Sequence, residues 1–141
     1  MTETYGLTHL ALAVTDIQRT LWFYRSIFGM EPMYNQGKFL QLTTPGAHDI
    51  LVFEEKADSS TGVTGGIAHF GFRLRDASCI DNILQKLKMV NAEIVECGEF
   101  VPGSPYVYFK DPDGYTIEVW YELAVTEASQ ATDGSAALPI Q

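Results

Sequence analysis

Between Leu7 and Val14 the chain reads Leu-Thr-His-Leu-Ala-Leu-Ala-Val, a short pattern of strand type. After it the period changes. Ile17, Leu21, Tyr24 and Phe28 recur at helical spacing, Asp16 stands where an N-cap belongs, and Gly29 ends the run. Three short strand patterns follow, near 31–35, 38–43 and 49–55, punctuated by Gly37 and by Pro45-Gly46. The order is βαβββ. The second half repeats it: a strand over 67–74, a helix capped by Asp76 with Ile80, Ile83, Leu84 and Leu87 on one face and Asn91 as terminator, then strands near 93–97, 105–110 and 115–121.

The residues repeat as well as the pattern. THLALAVTD at 8–16 lies over AHFGFRLRD at 68–76 with an offset of 60, matching His9 to His69, Ala11 to Gly71 and Asp16 to Asp76. TPGAHDILVFEE at 44–55 lies over DPDGYTIEVWYE at 111–122 with an offset of 67. The expected fold class is α+β, with two tandem βαβββ modules over about 5–55 and 66–123 and a linker over 56–66. Together they read as one domain, 1–123. The segment 124–141 is small, polar and aperiodic, and is expected to be mobile.

The duplication gives the polar residues meaning. Alternate strand residues share a face, so His9 points with Leu7, Ala11 and Ala13, and His69 with Ile67, Gly71 and Arg73. Each histidine has a small neighbour, which reads as space left for something else. Glu118 lies inside the strand Thr116-Ile117-Glu118-Val119-Trp120, where an unpaired buried carboxylate costs several kcal/mol. Under the offset of 67 its counterpart is the apolar Leu51. Two imidazoles and one carboxylate make the ligand set of a facial metal triad with three open positions, and a divalent cation would remove the cost of burying Glu118. His9, His69 and Glu118 are therefore the expected metal ligands. Trp22, Phe23 and Phe28 read as the packed helix face, and Trp120 as sheet core or a dimer contact.

Composition narrows the partners. There are 18 acidic against 9 basic residues, a net charge of −9, which repels nucleic-acid phosphates and anionic lipid surfaces. No apolar stretch reaches the roughly 18–20 residues that span a bilayer. Cys79 and Cys97 form no CxxC and no basic segment precedes the first apolar run, so a reduced, cytoplasmic protein is expected, with a small molecule as its partner.

GLTHLALAVTDIQRTLWFYRSIFGM at 6–30, IAHFGFRL at 67–74 and YFKDPDGYTIEVW at 108–120 resemble the vicinal oxygen chelate superfamily, which groups glyoxalase I, bleomycin and fosfomycin resistance proteins, methylmalonyl-CoA epimerase and extradiol dioxygenases. The resemblance covers about 5–123. It implies a curled, mostly antiparallel sheet cleft around one divalent metal, usually in a homodimer, with ligands carried over to His9, His69 and Glu118. Leu51 at the superfamily's fourth-ligand position argues against glyoxalase I-type proton transfer through a metal-bound glutamate. Tyr108, ten positions before Glu118, matches a tyrosine of extradiol dioxygenases and fosfomycin transferases, and His48-Asp49-Ile50 resembles the dioxygenase HD motif. Where the dioxygenases carry a further histidine upstream of the tyrosine, Glu99 and Phe100 stand here. The fosfomycin threonine two places after the first ligand is Ala11, and its arginine falls near Glu127.

The function these residues imply is an extradiol-like dioxygenase acting on a vicinal diol or enediol. Fe(II) is the favoured metal, with Mn, Ni, Co or Zn as substitutes; Tyr108 is a hydrogen-bond or proton donor, and His48 an acid/base group if it faces inward. The alternatives are a glyoxalase-like lyase or isomerase and a non-catalytic, bleomycin-type antibiotic-binding protein.

Overall fold

A computed structural model describes residues 1–56, 58 and 60–123, so the tail 124–141, Glu127 and part of the linker lie outside the described residues. The element order is β1 (His9–Val14), α1 (Ile17–Phe28), β2 (Glu31–Gln36), β3 (Phe39–Thr43), β4 (Ile50–Glu55), β5 (Phe70–Arg73), α2 (Cys79–Met89), β6 (Ile94–Glu99), β7 (Pro105–Lys110) and β8 (Thr116–Trp120). This is the βαβββ order twice. Each half makes one four-stranded sheet, ordered β1-β4-β3-β2 and β5-β8-β7-β6, with its first and last strands parallel and the other pairings antiparallel.

The duplication extends to irregularities. The second strand of each sheet shifts register, between Pro32 and Tyr34 and between Ile94 and Glu96, and the extra residues Met33 and Val95 are both about half exposed.

The chain divides into two compact units. The first contains residues 1–65 together with the turn 111–115. Its core lies where α1 packs on β3 and β4: Val14, Leu40, Leu42, Leu51 and Phe53 from the sheet meet Ile17, Phe23, Tyr24 and Ile27 from the helix. Asp16 caps α1 by accepting from Gln18 N and Arg19 N, and Glu55 at the end of β4 accepts from Ile17 N, so two carboxylates meet the positive helix end. Gly29 closes the helix at φ 66°, where a side chain would be strained.

The DPDG turn is fastened in this unit. The Asp111 carboxylate is buried and accepts from Tyr24 Oη at 2.8 Å and from the Asp113 and Tyr115 amides, while Asp113 Oδ1 accepts from Thr15 and Arg19. Tyr115 Oη donates to Ala13 O and accepts from Gly62 N. The sequence's most distinctive motif is thus a structural fastening.

The second unit contains residues 66–110 and the chain from Thr116 onward. Val107, Phe109, Ile117 and Val119 form its sheet core, with α2 packing on β7 through Ile83 and Leu87. Asp76 does not cap this helix. It forms a turn with Ser78 N and Ser78 Oγ one step earlier, and Ser78, at the cap position, makes no side-chain cap bond. Asn91 does terminate the helix: at φ 55° it lets Asn91 N and Ala92 N donate back to Lys88 O and Leu87 O, a Schellman arrangement. Among the described residues, no helix is long and apolar enough to cross a membrane.

Candidate functional site

Period-two alternation gives each sheet one face against its helix and one face away from it. In the second sheet the face turned away from α2 carries Gly71 and Arg73 on β5, Glu118 and Trp120 on β8, Tyr106 and Tyr108 on β7, and Glu96 and Gly98 on β6. His69, immediately before β5, joins them. Its Nε2 lies 3.2 Å from Glu118 Oε1, and its ring meets Tyr108 edge-on with centroids 5.1 Å apart.

Among the described residues, three polar atoms on this face have no hydrogen-bond partner. Glu118 is 5% exposed and its Oε2 is buried without a hydrogen bond; so are Tyr108 Oη and Trp120 Nε1. An unmade buried hydrogen bond costs about 1–3 kcal/mol, more for a charged group, so three on one sheet face call for an external partner. Burial, then the Glu118 carboxylate, push the Tyr108 phenol well above its usual range, which keeps its proton on Oη at neutral pH. A carboxylate oxygen with no donor, beside an imidazole nitrogen, fits a divalent cation.

The space beside His69 is not empty. A Cβ on Gly71 would stand 2.7 Å from Glu118 O and 2.9 Å from Trp120 Cζ3, so glycine admits the indole over β5. Trp120 is therefore a half-buried member of the site face, where the sequence suggested sheet core or a dimer contact. Its position two residues after Glu118 carried that signal, because parity puts both on one face. Trp22 also departs from expectation, being 55% exposed on α1.

In the first unit, His9 on β1 is exposed and pairs in register with Ile50, and Ala11 pairs with Val52. In the second sheet Gly71 pairs with Glu118, so the counterpart of Glu118 is Val52, not Leu51. Leu51 instead faces α1 with Leu42 and Phe53. The corrected position is still apolar, so no fourth ligand appears there. His48 is exposed in the loop before β4, its ring stacked on Tyr5 at 4.1 Å, while Asp49 is tied to Thr43 and Thr44. Because β4 starts at Ile50, strand alternation does not dictate the direction of His48. His69, Tyr108 and Glu118 thus come together in the second unit, and His9 and His48 belong to the first. Among the described residues of either unit, no three His, Cys, Asp or Glu side chains form a ready-made metal cluster.

Two βαβββ repeats, each presenting a histidine beside a small residue on the strand face turned from its helix, define the class, and comparison with known proteins agrees. Residues 6–119 match the family model described as the Glyoxalase/Bleomycin resistance protein/Dioxygenase superfamily, and the chain belongs to this family. It is 25% identical over 126 residues to the manganese-dependent 2,3-dihydroxybiphenyl 1,2-dioxygenase of Geobacillus genomosp. 3, covering 86% of this chain and 38% of that protein. With the catechol-2,3-dioxygenase of Bacillus subtilis (strain 168) it shares 26% identity over 132 residues, covering 85% and 44%. The chain therefore spans about two fifths of either dioxygenase. Among solved structures, the fosfomycin resistance protein FosX from Listeria monocytogenes superposes with a TM-score of 0.71 at 24% identity, covering 86% of this chain and 96% of FosX. That likeness concerns the fold. FosX has also been crystallised with Mn(II).

Proposed function

We propose that this chain is a metal-dependent enzyme acting on a vicinal diol or enediol, and that its reaction is extradiol-like dioxygenation. The carrying observation is the buried Glu118, with one oxygen 3.2 Å from His69 and the other unpartnered, beside a Tyr108 phenol held in its protonated form. The proposed ligands are His69, Glu118 and His9, the last from this chain or from a second copy in a homodimer. A bound cation would supply Lewis-acid activation of two adjacent oxygens and a place for an oxidant. Fe(II) is proposed as the metal, with Mn(II), named for two relatives above, as first substitute, then Ni, Co and Zn.

The chain's own residues would do the rest. Tyr108 Oη, which keeps its proton, donates a hydrogen bond to a substrate oxygen. The edge of the Tyr108 ring limits where the His69 imidazole can turn. His48 is proposed as the acid/base group, with Tyr5 stacked on its ring. Fosfomycin chemistry is disfavoured by Ala11, which offers no hydroxyl two places after His9.

The test is oxygen uptake with a panel of catechols, using protein reconstituted anaerobically with Fe(II) or Mn(II). Substrate-dependent uptake with ring-opened product is expected. Isomerisation of a hemithioacetal to a thioester with Ni, Co or Zn, indifferent to air, would establish a lyase or isomerase instead. Affinity for a cationic antibiotic that survives His9→Ala and Glu118→Ala would make the protein a binder.

A further inference from the structure

Two residues along the strands from the Gly71–Glu118 pair, roughly 6.6 Å at about 3.3 Å per residue, Arg73 and Trp120 stand opposite each other in parallel register on the same face. Trp120 brings a buried indole N–H with no acceptor. Arg73 brings a guanidinium that is 57% exposed and, among the described residues, is paired with Glu122 at 3.5 Å. Arg73 and Glu122, with Leu74, Arg75 and Tyr121, line an open cavity of about 400 Å³ that begins at Tyr121, one residue beyond Trp120, so the cavity supports the arginine side of the pair and the register alone brings in the indole. In a chain with twice as many acids as bases, two arginines meet at this cavity.

We infer that Arg73 and Trp120 form a subsite for a carboxylate on the substrate, beyond the diol. This rests on the reading that His69 and Glu118 help hold a metal that binds the diol. The chemistry is complementary. The indole N–H needs an acceptor, the guanidinium needs an anion, and an exposed 3.5 Å ion pair yields readily to a competing carboxylate. The absence of a Cβ at Gly71 lets the indole lie against β5 between the metal-binding pair and Arg73. The substrate class is then an aromatic or enediolic vicinal diol whose carboxylate lies about one ring width from its two hydroxyls.

The experiment compares 3,4-dihydroxyphenylacetate with the neutral 4-ethylcatechol, by calorimetric titration of the Mn(II)-loaded protein under anaerobic conditions. In the wild type the acid is expected to bind at least tenfold more tightly. Arg73→Met should abolish that advantage and Trp120→Phe, which keeps a ring over Gly71, should reduce it at least threefold; the neutral catechol should change less than twofold in either. Glu122→Gln, removing the competing carboxylate, should strengthen binding of the acid alone. Equal affinity for the two catechols, or an advantage that survives Arg73→Met, overturns the subsite and leaves the metal reading intact. If neither catechol binds, the metal reading has failed. Phenylacetate is then titrated into metal-free Trp22→Phe protein, where the emission comes from Trp120. A saturable change lost in Arg73→Met supports the subsite, and no change overturns it.

Discussion

Glu118 is the residue on which the functional reading turns. A carboxylate 5% exposed, with one oxygen facing an imidazole and the other making no hydrogen bond among the described residues, is a poor structural choice, since apolar replacement of a buried charge is often neutral or stabilising. Tyr108 is the same case in neutral form. Tyr108→Phe removes a buried hydroxyl that lies beside the Glu118 carboxylate without a hydrogen bond of good geometry, so the stability of the metal-free protein should change by no more than about 1 kcal/mol. Catalysis should fall, with kcat/KM at least tenfold lower. A thermal melt set beside steady-state kinetics checks both, and a variant that loses stability without losing rate would make Tyr108 a packing residue. The dyad was legible because the duplication marked His69 and the strand pattern exposed Glu118 as an anomaly. Trp120 was read as sheet core or a dimer contact, and its place on the site face was missed because apolarity was weighed above parity. The Leu51 assignment slipped by one residue because a one-residue difference in connection length leaves the hydrophobic pattern unchanged, and only the register with β1 reveals it.

At the level of elements, each described strand and helix is visible in the sequence, most by their period and the exposed β2 and β6 by their place in the repeated order. The turn 111–115 shows what the period cannot. Asp111 is a turn residue by composition, yet it is buried and receives a hydrogen bond from Tyr24 in α1, a contact 87 positions apart that no local pattern announces. Tyr24→Phe should cost about 1–3 kcal/mol by leaving that carboxylate short of a donor. The pH dependence follows from the same burial. Desolvation raises the Asp111 pKa above its ordinary 3.8 and outweighs the hydrogen bonds that lower it. The folded state then binds this proton more tightly than the unfolded state, so the contribution is complete below 3.8 and is lost as pH rises through the raised value. Tyr24→Phe removes one lowering influence and should extend that loss to higher pH, whereas Asp111→Asn should remove the slope. Urea denaturation from pH 3.5 to 7 distinguishes the three proteins, and identical slopes would refute the assignment.

For the whole molecule, the duplication builds two sheets of one design and then makes them unequal. Both keep the histidine at or just before the start of the first strand and a small neighbour on it, but only the second places an acid opposite, with Val52 at the equivalent point of the first. An apolar residue there confines the charged chemistry to one sheet, and a cation binding to it should stabilise the fold, by about 2.7 kcal/mol at a hundredfold excess over its dissociation constant. The most direct measurement is the metal content, by elemental mass spectrometry, of protein purified without a metal-binding tag, for the wild type and for Glu118→Ala. The account predicts about one divalent transition metal per chain in the wild type and its loss in a variant that still folds. A wild type that holds no metal, cannot be reconstituted and matches Glu118→Ala in stability would contradict it.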